Sequence, residues 1–207
     1  AALFLVLLNG FFVLSEFAIV KVRRTKLEEM AKHGKPNASL ALKMSNSLDT
    51  YLSATQLGIT LSSLALGWIG EPALARLIEP TFTHFFGDNP VLLHTVSFAI
   101  AFTVITFLHV VFGELVPKSV AIAKAETMAL VIARPLYLFW ILFYPLIRFF
   151  DVVAAFFLKK IGIAPSSEHE MAHSEEEIRI IVNESFKGGY IDSVESEIIK
   201  NAVDFSE

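Results

Sequence analysis

The hydrophobic pattern opens with an apolar run, Ala1 to Val20, in which Glu16 is the sole charge. At 1.5 Å per residue, about 20 residues reach across the roughly 30 Å hydrocarbon core of a bilayer, so the run predicts a transmembrane helix. No basic stretch precedes it and no small-residue cleavage motif follows, so a cleaved signal peptide is not expected. It ends in Lys21, Arg23, Arg24 and Lys26. Residues 25–48 follow an amphipathic helical pattern that breaks near Gly34 to Pro36, which predicts helices on the membrane surface. A second run, Tyr51 to Ile69, is rich in Gly, Ser, Thr and Ala. The third, Val91 to Gly113, carries no charge.

A fourth apolar stretch, Ala129 to Leu158, is long enough to span. However, Pro135 and Pro145 interrupt it, Arg148 and Asp151 sit within it, and Lys159 and Lys160 end it. That pattern predicts a broken helix or short hairpin in the inner interface. Ser166 to His173 reads as a polar linker. Ser174 and Glu177 form a capping-box pattern ahead of Ile178, Ile181 and Val182, and Gly188 and Gly189 end that helix. A second short helix, capped by Asp192 or Ser193, carries Val194, Ile198, Ile199 and Val203.

The flanks after the first and third runs are basic, the latter through Lys118 and Lys124. The segment between the second and third runs has Glu71, Glu79 and Asp88 against Arg76 alone. The positive-inside rule then places the N-terminus outside and the tail in the cytoplasm. The fold class expected is an all-α integral membrane protein. It has three transmembrane helices, juxtamembrane helices and a short cytosolic helical segment, divided into residues 1–165 and 166–207.

Composition supports two parts with different solvents. Charged residues make up 18% of the chain, against roughly a quarter in soluble domains, and mean hydropathy is +0.58. Residues 168–207 hold eleven Asp/Glu and three Lys/Arg, a net −8, while residues 1–167 hold ten and fourteen, a net +4. That body is too weakly basic to suggest nucleic acid. The chain has no Cys, which removes disulfides, thiolate metal sites and Cys nucleophiles.

The sharpest candidate for chemistry is Gly113-Glu114-Leu115-Val116-Pro117-Lys118. Pro117 has no N–H to give the carbonyl four residues back, which belongs to Gly113. A freed carbonyl oxygen then stands next to the Glu114 carboxylate, and hard cations such as Mg²⁺ take oxygen ligands. Equally, Glu114 can pair with Lys118 at i, i+4. On the second run Gln56, Thr60, Ser63 and Gly67 share one helical face, suited to close helix packing or to presenting hydroxyls to a cation. Ser62 and Ser63 fall in mid-run. Ser15 and Glu16 lie near the inner end of the first run, and Asn9 shares the Glu16 face. His94 and His109 lack metal-ligand spacing and read as packing histidines. No hydrolase, zincin, nucleotide-binding or EF-hand motif is present, so no enzyme is expected.

The segments LNGFFVLSEFAIV (Leu8 to Val20), YLSATQLGITLSS (Tyr51 to Ser63) and FGELVPKSVA (Phe112 to Ala121) resemble the CorC/cyclin M (CNNM) family of magnesium transporters. EEEIRIIVNES looks like the acidic helical bundle that precedes a CBS domain pair in that family. No CBS pair follows, as expected of a piece of a longer protein. The resemblance implies three spans with a juxtamembrane belt, which also favours the interfacial reading of residues 129–158. It implies a homodimer in the cell membrane that exports Mg²⁺, driven by Na⁺ entry, from a dehydrated site between spans. The family's site serine matches Ser15, its polar pair matches Ser62 and Ser63, and its Gly–Glu pair matches Gly113 and Glu114. Some relatives carry Asn where Ser63 stands. The rival reading is a membrane anchor or Mg²⁺ sensor whose intramembrane polar residues serve helix packing.

Overall fold

In the computed structural model the apolar runs are helices, and the described residues (2–86, 89–162 and 175–204) contain no strand. Helix α1 is Ala2–Lys21, α2 Arg24–Lys32 and α3 Ala38–Asn46. Helix α4, Leu48–Ala65, runs through a π-helical turn, Leu66–Gly70, into α5, Glu71–Phe86. Helix α6, Pro90–Leu108, likewise passes through a π-helical turn, His109–Leu115, into α7, Val116–Ala123. Helix α8 is Ala125–Lys160; α9, Glu175–Lys187, and α10, Ser193–Asp204, complete the order.

Four helical stretches are long and apolar enough to cross a membrane: Ala2–Lys21, Leu48–Thr83, Pro90–Ala123 and Ala125–Lys160. The sequence reading counted three, because it expected α8 to be broken. Instead, α8 is one helix of 36 residues that contains both Pro135 and Pro145. In lipid a break would strand several backbone groups with no water to satisfy them. Continuing the helix forfeits one hydrogen bond per proline and is the smaller loss.

The chain divides into two compact units, residues 1–154 and 155–207. In the first, α1 packs against α4, α7 and both π-helical turns, and α5 packs along α6. Glycine sets the approach of α1 to α4. A Cβ on Gly58 would stand 2.4 Å from the Phe12 ring, so only a bare backbone fits there. Phe12, Ile19 and Val22 continue into a core with Leu27 of α2, Met44 of α3, Tyr51 of α4 and Ile132 and Leu136 of α8. The amphipathic segment after α1 thus buries its apolar stripe on the ends of α1, α4 and α8. A smaller cluster, Val6, Leu66 and Ile105, closes the opposite end. Gly67, assigned from sequence to the same face as Ser63, has nothing within 4 Å of its would-be Cβ; the close approaches are at Gly10, Gly58, Gly70 and Gly113.

In the second unit, Gly189 takes φ +71° and ends α9, as its left-handed conformation requires a residue without Cβ. Helix α10 opens with a reciprocal cap. The Glu195 N–H donates to Asp192 Oδ1 at 2.8 Å and the Asp192 N–H to Glu195 Oε2 at 2.9 Å, which selects Asp192 over Ser193 as the capping residue. The expected linker from Ser166 to His173 and the Ser174 cap lie outside the described residues.

Candidate metal pathway

The sequence around Pro117 determines the local geometry. A proline directly after a helical run removes the donor for the Gly113 carbonyl and sterically opposes an α-helical turn there. The chain answers with the π-helical turn His109–Leu115, a widened turn that recurs at functional positions. Gly113 is buried, and a Cβ there would meet His109 Cδ2 at 2.7 Å and Asn9 Nδ2 at 3.3 Å. The carbonyl left over by Pro117 is taken by α1: Asn9 Nδ2 donates to Gly113 O at 3.0 Å. The other half of the same amide accepts from α4, with Ser63 Oγ donating to Asn9 Oδ1 at 3.1 Å. Only this amide orientation satisfies both partners, since a backbone carbonyl can only accept. Asn9 is fully buried and ties three helical segments together at one point.

Gly10, the next residue, makes that meeting close. Its would-be Cβ lies 2.8 Å from the Phe112 carbonyl oxygen and 3.0 Å from Pro117 Cγ. Beside it a cavity of about 620 Å³ opens, lined by Leu7, Gly10, Phe112, Val116, Pro117 and Met128 among other apolar side chains.

The five residues expected to hold the ion are placed unevenly. Ser63 and Gly113 share the Asn9 amide. Ser62 is buried, with its hydroxyl on the Gly58 carbonyl at 2.8 Å, and Ser15 is buried with its hydroxyl on the Phe11 carbonyl at 2.7 Å. Each spends its one proton on its own helix, which leaves only oxygen lone pairs to offer. Ser15 lies six residues beyond Asn9 on α1, about 9 Å along the axis. The Glu114 side chain is 52% exposed and stands 4.0 Å from His109 Nε2. Lys118 makes no ion pair with it. The Lys118 ammonium sits 4.8 Å from the Phe17 ring centroid, so the i, i+4 pairing expected as the rival explanation of Glu114 does not form.

Two residues carry more of the geometry than the sequence suggested. Asn9, placed by the sequence on the Glu16 face of the first run, joins three segments. His109, read as packing, turns toward Glu114 with Nε2 buried and without a hydrogen-bond partner. The signal for His109 was its spacing of five residues before Glu114, which brings side chains together in a π-helix and not in an α-helix. No group of three or more His, Asp or Glu gathers among the described residues. The oxygens on offer are therefore neutral ones plus a single carboxylate. Oxygen ligands of this kind are what a hard cation takes.

Comparison with known proteins follows the same residues. The profile of the cyclin M transmembrane N-terminal domain matches residues 1–195. UPF0053 protein YrkA of Bacillus subtilis is 45% identical over 203 residues, covering 98% of this chain and 46% of the relative. UPF0053 protein YhdT of the same organism is 47% identical over 201 residues, 97% of this chain and 43% of the relative. Uncharacterized protein Rv1841c of Mycobacterium tuberculosis is 37% identical over 202 residues, 98% of this chain and 57% of the relative. The chain thus spans about half the length of these relatives.

Proposed function

The chain belongs to the cyclin M transmembrane N-terminal domain family, and from that premise we propose that it is the membrane part of a Mg²⁺ transporter. In this reading it exports the ion from the cell, coupled to Na⁺ entry, and works as a homodimer in the cell membrane with its N-terminus outside and its tail in the cytoplasm. The observation that carries the reading is the junction at Asn9. There a proline-freed carbonyl, an amide oxygen and the Ser63 hydroxyl meet inside the helices, and Glu114 follows Gly113 directly. A dehydrated divalent ion needs oxygens of this kind and a charge to balance it. Glu114 supplies the charge, Gly113 a carbonyl, and Ser15, Ser62 and Ser63 neutral oxygens; His109 Nε2 stands 4.0 Å from the Glu114 carboxylate.

A second reading has its own support. Every hydroxyl of Ser15, Ser62 and Ser63 is already engaged in a helix-to-backbone or helix-to-helix bond, as a packing role in an anchor or sensor requires. Flux separates the two. The purified chain in liposomes is expected to move Mg²⁺ faster when a Na⁺ gradient is imposed, and Glu114→Gln is expected to lower that flux by about tenfold or more. Equal flux in wild type, Glu114→Gln and empty liposomes would leave the anchor reading standing.

A further inference from the structure

A second polar locus lies on the seam between α4 and α8. Asp151 sits in the second half of α8, amid Leu146, Phe149, Phe150 and Val152. It accepts a hydrogen bond from Ser53 Oγ of α4 at 2.8 Å. Among the described residues no Lys, Arg or His nitrogen lies within 4.0 Å of it, although Arg148 is three residues away. An unpaired carboxylate in an apolar helix is costly and marks a functional locus. From Asp151 a groove of about 460 Å³ follows α4, lined by Ser53, Gln56 and Thr60 and walled by Leu57, Leu61 and Phe150.

The hydrogen count decides what this groove can bind. A hydroxyl has one proton. Ser53 spends it on Asp151, and Thr60 spends it on the Gln56 backbone carbonyl at 2.8 Å. What remains in the lining is lone pairs on both hydroxyls, the second carboxylate oxygen, and the Gln56 side-chain amide, whose oxygen accepts and whose NH₂ donates. An acceptor-rich lining repels anions and coordinates cations. One carboxylate balances one positive charge, so a monovalent alkali cation bound here leaves the groove neutral. The locus is separate from the Asn9 junction. Ser53 and Ser63 are ten residues apart on α4, about 15 Å along its axis. Ser53, Gln56, Thr60 and Ser63 fall on one helical face and form a line of oxygens between the two.

We propose that Asp151, Ser53, Gln56 and Thr60 form a binding site for a monovalent alkali cation, distinct from the Mg²⁺ locus at Gly113 and Glu114. Binding there stands by itself; only its part in transport rests on the transporter reading above. The test is thermal melting of the detergent-purified chain at constant ionic strength, with NaCl or KCl replacing N-methyl-D-glucamine chloride, and separately with MgCl₂. An alkali cation is expected to raise the wild-type melting temperature by about 3 °C. Asp151→Asn, whose amide oxygen still accepts from Ser53, is expected to abolish that rise and keep the Mg²⁺ rise. Glu114→Gln is expected to do the reverse. Thr60→Val, which removes one oxygen and leaves the carboxylate, is expected to shrink the alkali shift by about half. An alkali shift that survives in Asp151→Asn, or its absence in wild type, overturns the site. Loss of the Mg²⁺ shift alone overturns the Mg²⁺ reading and leaves this one intact.

Discussion

Asn9 holds its place by chemistry that no neighbouring residue type reproduces. It must donate to one carbonyl and accept from one hydroxyl while buried. Asn9→Ala orphans the Gly113 oxygen, which Pro117 cannot rescue. Orphaned groups cost about 1–3 kcal/mol in water-soluble proteins, but interhelical bonds within membranes average about 0.6 kcal/mol. With two bonds lost, destabilisation of about 1–2 kcal/mol is expected, a fall of roughly 3–6 °C in melting temperature without Mg²⁺. Asn9→Asp is expected to fall further, because a carboxylate cannot donate to Gly113 and points an oxygen at an oxygen. A melting temperature for Asp above that for Ala would refute the geometry of the junction.

At the scale of elements, the π-helical turns are where sequence reasoning reached furthest and stopped. The freed Gly113 carbonyl was legible, because proline chemistry is local and needs no knowledge of neighbours. Its partner was not, because Asn9 is 104 residues away and nothing in a single span's pattern says which partner it will meet. The same limit explains Gly67 and Gly58. Both are small residues in the second run, yet only Gly58 faces another helix closely within the chain. The π-helical turn itself was hidden, since spacing arguments assume the α-helical period, and that assumption separated His109 from Glu114. Proline rules drawn from water also misjudged α8, where lipid removes the incentive to break. Pro117→Ala tests the first of these points. It restores a donor that competes with Asn9 for the Gly113 oxygen, so the variant is expected to melt at the wild-type temperature or above. Its Mg²⁺-dependent shift is expected to drop by at least half, read from melts with and without MgCl₂.

For the whole molecule, the apolar runs and their flanks were enough to give an all-α membrane class, but not the number of helices able to cross. Orientation remains a matter of charge. Lys21, Arg23, Arg24 and Lys26 cluster after α1, whereas residues 70–90 carry three acids and one base. Because the chain has no native Cys, single cysteines report cleanly. His33→Cys, between α2 and α3, is expected to react only with reagent reaching the cytoplasmic side, and Asn89→Cys, before α6, only with reagent outside. Accessibility of both from one side would show that α4 and α5 do not carry the chain across.

The Asn9 junction has one more consequence. Its members are an amide, a hydroxyl and a backbone carbonyl, none of which gains or loses a proton at any pH a cell experiences. A membrane that holds a proton-motive force subjects its proteins to steep differences in acidity between one face and the other. The junction that fastens α1 to α4 and to the turn before α7 is insensitive to that difference. Acid on either side therefore leaves the scaffold that presents the site fastened.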